Sequence, residues 1–336
     1  MNDENAMKQS LSAILCATLL LGRAMAAEAP PRLAGGFIQL QGWMNKLTPE
    51  DWRREIDAMH RLGMTTIVIQ YLQYNDVSLI PEDPTAVDPT GTILKLADDR
   101  GMTVFLGTAA EDGWWKWDAD YLRGALERRR ALTRKIVDRY GSHRSFAGWY
   151  FTEEASGFMS PEKTRQLRDY FRALSDHCKA LRDQPVAFAP FFSDLTPLEE
   201  MRRIYSELLD GAGIDIMMVQ DGVGARGWDD ALEAKVPPFF AMFRDVCRQT
   251  GVRLWCDLES FEREDPEKEF GFIPTEIERL ERQLKAVAPY VEQIVTFDFF
   301  HYLSPYRGER QRALYEGYCR YLGIEPVVET AEGSQP

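Results

Sequence analysis

The chain has 336 residues, 45% of them hydrophobic, enough to bury a full core in one large α/β domain or in two ordinary ones. Its formal net charge of −13 argues against a polyanion such as nucleic acid as partner, because counterion release needs a basic footprint. The four histidines and five cysteines show no metal-ligand spacing, so neither a metal nor a cofactor is expected.

Residues 11–21 form an apolar run too short to span a bilayer, followed by Gly22-Arg23-Ala24-Met25-Ala26-Ala27. This reads as a secretory signal cut after Ala26. Starting at Met7 places Lys8 just before the apolar run, whereas Asp3 and Glu4 do not suit a signal. Cys16 lacks the small preceding residue of a lipoprotein signal, so no stable membrane anchor is expected. The expected organisation is a signal over residues 1–26, one folded domain over 27–326 and a disordered tail over 327–336, in a periplasmic or secreted protein. Cys178, Cys247, Cys256 and Cys319 are expected as buried free thiols, since a large core needs no disulfide.

After Pro30-Pro31, residues 35–41 read as a strand with Gln39 and Gln41 on its inner face. Thr48-Pro49-Glu50 opens a helix that Gly63 stops. The cycle then repeats: strand 65–71 and helix 91–100, strand 102–107 and a long basic helix ending near Gly141, strand 146–154 and a helix from Ser160-Pro161 to about Leu181. Strand 186–192 precedes a helix with a capping-box spacing from Thr196 to Glu199. Strand 214–220 and helix 229–250, strand 252–259 and helix 275–287, and strand 294–300 and helix 309–322 complete the series. Eight strand-then-helix units without a composition break predict a single (β/α)8 TIM barrel. An open doubly wound sheet predicts a Gly-x-Gly-x-x-Gly phosphate turn after a strand, and none of the first-strand turns fits it.

In such barrels chemistry gathers at the C-terminal strand ends. Those ends supply Gln39 with nearby Trp43, Gln70 with Tyr71, the Trp114, Trp115 and Trp117 loop, Glu153 and Glu154, Gln220, Asp257 and Glu259, and Asp298 with Tyr302. Side chains alternate along a strand, so Trp149, Phe151 and Glu153 share the helix-facing side while Tyr150, Thr152 and Glu154 look into the barrel mouth. On strand seven, Leu254, Cys256 and Leu258 face the helices, which turns Glu259 inward with Asp257 one layer below. Two carboxyls about 5–5.5 Å apart suit a retaining glycosidase, and about 6.5–9.5 Å an inverting one. A register shift of one residue would exchange Glu153 and Glu154. The tryptophans suit stacking on sugar rings, and the glutamines suit sugar hydroxyls. Arg128-Arg129-Arg130 reads as a solvated helix face.

Gly148-Trp149-Tyr150-Phe151-Thr152-Glu153-Glu154 resembles the strand-four signature Gly-Trp-Tyr-x-x-(Asp/Asn)-Glu-Pro of retaining barrel glycoside hydrolases of the Asn-Glu-Pro clan. Leu254-Trp255-Cys256-Asp257-Leu258-Glu259-Ser260-Phe261 resembles the strand-seven segment of the DUF4434 family, glycosidase-like barrels. The resemblance implies Glu154 as acid/base, Glu259 as nucleophile and a carbohydrate substrate. Glu153 stands where the signature has Asp or Asn, and Ala155 where it has proline; Glu153 would tune Glu154 or contact substrate. The expected function is therefore an exported retaining glycoside hydrolase acting on a polysaccharide or oligosaccharide. The alternative is a catalytically silent glycan-binding barrel accessory to exopolysaccharide synthesis or export. Protein partners are not indicated.

Overall fold

Eight parallel strands close on themselves in the computed structural model, which describes residues 29–83, 85–113, 118–265, 267–268 and 271–328. They are β1 (Gly35–Ile38), β2 (Thr66–Ile69), β3 (Thr103–Gly107), β4 (Phe146–Phe151), β5 (Val186–Phe188), β6 (Ile216–Gln220), β7 (Arg253–Glu259) and β8 (Gln293–Phe297), each paired with its neighbours in sequence, and β8 with β1. Helices α1 (Pro49–Arg61), α2 (Pro89–Arg100), α3 (Ala119–Tyr140), α4 (Pro161–Leu181), α5 (Leu198–Leu209), α6 (Leu232–Thr250), α7 (Ile277–Val287) and α8 (Glu309–Tyr321) follow them one for one. This is the predicted (β/α)8 barrel. Internal contacts divide the chain into a unit up to Pro31 and one from Arg32 onward, and the second holds every one of these elements. The segment 1–26 expected as a signal, residues 329–336 of the expected tail and the tryptophans Trp114, Trp115 and Trp117 lie outside the described residues.

The period-two alternation sorts the strand side chains into two cores. Phe37, Val68, Phe105, Tyr150, Met218, Trp255 and Val295 fill the barrel interior. Ile38, Ile69, Leu106, Trp149, Phe151, Val219, Cys256 and Leu258 belong to the shell between strands and helices. Gly148 makes the interior packing possible: a Cβ there would stand 2.1 Å from the Phe105 ring, so the bare backbone of β4 leaves that ring its space. Phe105 in turn meets Trp255 edge-on at 5.8 Å, and Phe37 meets Tyr150 at 5.2 Å. Below the mouth the barrel is therefore solid.

Helix starts follow local chemistry. Thr48 Oγ1 accepts from Asp51 N at 3.1 Å, and Asp51 Oδ2 accepts from Thr48 N at 2.9 Å, a reciprocal cap at the start of α1. Thr48→Ala is expected to cost about 1 kcal/mol, read as a lower urea midpoint with unchanged slope. Ser160 caps α4 as expected, accepting from Lys163 N. The capping box expected at Thr196 does not form: extended Pro197 occupies the cap position and α5 begins only at Leu198, one residue too late for the Thr196 hydroxyl. The predicted strand 294–300 also ends early, at Phe297, because the Asp298 carboxylate accepts from His301 N at 2.7 Å and starts a helical turn over Phe299–Leu303. No described helix is long and apolar enough to cross a membrane. Cys178, Cys247, Cys256 and Cys319 are buried free thiols.

Candidate active site

Two short sheets frame the mouth of the barrel. Gln73–Tyr74 pairs with Val77–Ser78 in a hairpin and with Ala109–Ala110 after β3, while Phe261–Arg263 pairs with Phe272–Pro274 after β7. Between the ends of β1 to β4 lies a cavity of about 250 Å³, lined by Gln39, Gln70, Tyr71, Tyr74, Ala110, Glu111, Asp112, Thr152 and Glu154. Thr152 and Glu154 thus open on one side of the chain, as the alternation along β4 predicts. Of the sequence candidates, Gln39, Gln70, Tyr71 and Glu154 meet here. Gln70 Oε1 is buried without a hydrogen-bond partner among the described residues, leaving an acceptor for a donor from outside.

Glu154 is half-buried. Desolvation pushes its pKa up to about 7, against a hydrogen bond from Gln220 that favours the charge. Gln220 also donates to Ala189 O at 3.4 Å. A carboxylic acid that keeps its proton near neutrality is what general acid catalysis asks for.

Glu259, at the end of β7, is 3% exposed, and its Oε2 accepts from Ala225 N at 2.7 Å. Burial, and after it the Asp221 carboxylate, push Glu259 upward, while the Ala225 N–H, Arg279 and Arg226 favour its charge. Asp221 is buried behind the strands, taking Gln283 Nε2 at 2.7 Å and the Glu259 backbone N–H at 3.2 Å. Asp257 lies inside the barrel, 2% exposed, with Oδ1 unpartnered among the described residues. Burial, then the charges of Glu259, Asp221, Glu154 and Asp298, drive its pKa well above the carboxylate range. Glu154 and Glu259 both act on Asp257, which therefore lies within electrostatic reach of the ends of β4 and β7.

Three residues expected to contact substrate do not line the cavity. Glu153 does not reach the mouth: it is fully buried behind β4, where Arg129 Nε lies 2.7 Å from Oε1 and Tyr170 OH donates at 2.8 Å. Asp298 is fully buried and spent on protein donors, Gln39 N at 3.0 Å and His301 Nδ1 at 2.7 Å, so it positions β1 and the Phe299–Leu303 turn rather than meeting substrate. Asp257 is not on the cavity wall. Burial opposes a charge on His301, but the Asp298 carboxylate prevails and holds the imidazole above its usual range. Trp43 is 44% exposed on the rim, its Nε1 donating to Gln41 Oε1 at 2.7 Å. Tyr302 packs on Phe261 at 5.1 Å and feels the charges of Asp298 and Glu259. Trp114 and Trp115 lie outside the described residues. Among those residues no group of three or more His, Cys, Asp or Glu could hold a metal ion.

Sequence reasoning missed Arg129. It is no solvated residue: it is fully buried, bonds Glu153, Glu111 Oε1 at 3.2 Å and Ala109 O at 3.0 Å, and so ties the end of β4 to the segment after β3. The signal was present, because Leu122, Ala125, Leu132 and Ile136 form the buried stripe of α3 and Arg129 stands in it. Glu111 and Asp112 were also legible, lying directly after β3.

Solved structures of similar fold carry glycosidase names. The "putative alpha-L-fucosidase" of Bacteroides thetaiotaomicron superposes at TM-score 0.74 and 22% identity, covering 88% of this chain and 97% of that one. A beta-glucuronidase of Bifidobacterium dentium, complexed with coumarin-3-O-glucuronide, gives 0.56 and 14% over 88% of this chain and 47% of that one. The catalytic domain of a beta-amylase from Paenibacillus polymyxa gives 0.56 and 9% over 89% and 100%. At these identities the likeness is one of fold. No curated protein matches the chain. The family profile that does match spans residues 33–308, nearly the whole barrel, and the chain therefore belongs to DUF4434, a domain of unknown function.

Proposed function

We propose that the protein is a glycoside hydrolase working by retention, with Glu154 as acid/base and Glu259 as nucleophile, on an oligosaccharide or polysaccharide met outside the cytoplasm. The observation that carries the reading is Glu154: an inward carboxyl on the wall of a polar cavity, at the end of β4, holding its proton to about pH 7. Gln39, Gln70, Tyr71 and Tyr74 around it supply the mixed donors and acceptors that sugar hydroxyls need. The glycosidase names of the structures with the same fold agree with it.

In this mechanism Glu154 protonates the leaving oxygen as Glu259 attacks the anomeric carbon, and Glu154 then takes a proton from the water that releases the sugar. The Ala225 N–H and the two nearby guanidiniums stabilise the Glu259 anion the attack requires. One observation favours a second reading, a barrel that binds glycan without cleaving it: burial and Asp221 hold Glu259 towards its neutral form, and a neutral carboxyl does not attack. A glycan panel assayed with wild type and Glu259→Gln side by side separates the two. Turnover by wild type that the variant loses supports the hydrolase; binding without turnover by either supports the silent barrel.

The acid must carry its proton in the free enzyme. Because Glu154 must carry its proton and Glu259 must have lost its own, with pKa values of about 7 and about 8, kcat/KM is expected to peak between those values and to fall about tenfold per pH unit on the alkaline limb above pH 8. In Glu154→Gln that limb should vanish from the residual activity; a limb that persists would assign the proton to another group.

A further inference from the structure

The cavity beside Glu154 does not end at the acid. Glu111 and Asp112, on its outer wall, also line a second cavity of about 460 Å³ with Asn75, Asp76 and Arg128. The two spaces share one wall and run outward from Glu154, across the Gln73–Ser78 hairpin, towards α3.

That shared wall is rigidly built. Asp112 accepts from Tyr74 OH at 2.7 Å and from Asn75 Nδ2 at 3.0 Å, and its own N–H donates to Asn75 Oδ1 at 2.9 Å. Asn75 turns the hairpin with φ +49, a conformation Asn tolerates and most residues do not. The wall is also acidic. Arg128 is the one basic side chain among the described residues lining either cavity, and its Nε and Nη2 are both taken by Glu111, at 2.9 and 2.7 Å. Asp76 and Asp112 face the space without a cationic partner among the described residues, so an anionic group entering would be desolvated against like charge.

We propose that the second cavity is a distal sugar subsite, so that the cleft takes an oligosaccharide extending from Glu154 past Asn75, and that the sugar held there carries no negative charge, being uncharged or amino-bearing. This rests on the carbohydrate reading above and adds to it the direction, length and charge class of the ligand.

The test is binding of the Glu259→Gln protein to immobilised oligosaccharides of two to six units in four classes: uncharged, amino-bearing, uronate-bearing and sulfated. Affinity is expected to rise about tenfold with length within the uncharged or amino-bearing classes, one or two hydrogen bonds' worth. Adding Asn75→Gly, which keeps the turn but removes the side chain, should cut that long-to-short ratio to below about threefold. The proposal is overturned if affinity does not grow with length, if the variant keeps the full ratio, if uronate-bearing or sulfated members bind best, or if no member binds. Wild-type turnover of the same array judges the hydrolase reading separately. Length-dependent binding without hydrolysis leaves the subsite standing and removes the catalysis, while cleavage of uronates does the reverse.

Discussion

Glu259→Gln is expected to lower kcat on a cleaved glycan by on the order of 10⁴-fold or more, and Glu154→Gln by about 10²- to 10⁴-fold, with circular dichroism unchanged. The difference reflects the roles: losing the nucleophile removes the covalent route, whereas a substrate with a good leaving group bypasses much of the need for an acid. Glu154→Gln should accordingly be rescued on an activated aryl glycoside and Glu259→Gln should not; equal loss on both substrates would refute the assignment. The same substitution reads out in stability. The Glu154 pKa is higher in the folded chain, about 7, than its ordinary value of 4.5, so the folded state binds more protons than the unfolded one between those values. Stability is therefore lost as pH rises through that window, and Gln, with no proton to lose, escapes the loss. Glu154→Gln is expected to be more stable than wild type by about 1–3 kcal/mol at pH 8 and by little at pH 4, measured as urea midpoints.

Arg129→Ala is expected to cost about 3–5 kcal/mol, a large share of the stability of any single domain. The Arg129 and Glu153 side chains are both fully buried, with Nε and Oε1 2.7 Å apart, so removing the guanidinium strands a carboxylate beneath α3 and α4. The Tyr170 hydroxyl at 2.8 Å cannot by itself replace a charge. Arg129→Met combined with Glu153→Leu should recover most of the loss, because an apolar pair of similar volume needs no compensation. Full recovery is not expected, since Glu111 and the Ala109 carbonyl also lose a donor. A single variant that loses under about 1 kcal/mol, or a double variant no better than the single one, would show that the pair does not hold this region. Thr152 Oγ1 donates to that same Ala109 carbonyl, so Arg129 also helps to set the end of β4 from which Glu154 projects.

Most of the architecture was readable from short-range rules. Strand alternation put Glu154 in the mouth and Glu153 behind the sheet, and the structure divides them in just that way. Thr48, Ser160 and the glycines after α1 and α2 marked helix ends because caps and left-handed residues act within one turn. Where two local signals competed, sequence reading failed: Thr196 and Pro197 both suit a helix start, and the proline displaced the cap. Asp298 looked like one more acid at a strand end, because nothing near it in sequence says that Gln39, 259 residues away, supplies its donor.

The sequence by itself determined the barrel, the face on which each strand residue stands and the two carboxyls nominated for chemistry, since all three depend on periods of two and 3.6 residues. Only the tertiary structure decided which acids keep access to a ligand. Glu154 opens on a cavity, while Glu153, Asp257 and Asp298 are enclosed by protein, and partners from distant elements hold two of them: Arg129 and Tyr170 on Glu153, and the β1 backbone on Asp298. A carboxyl's charge and availability are set by desolvation and by the donors around it, and those become neighbours only when the barrel closes.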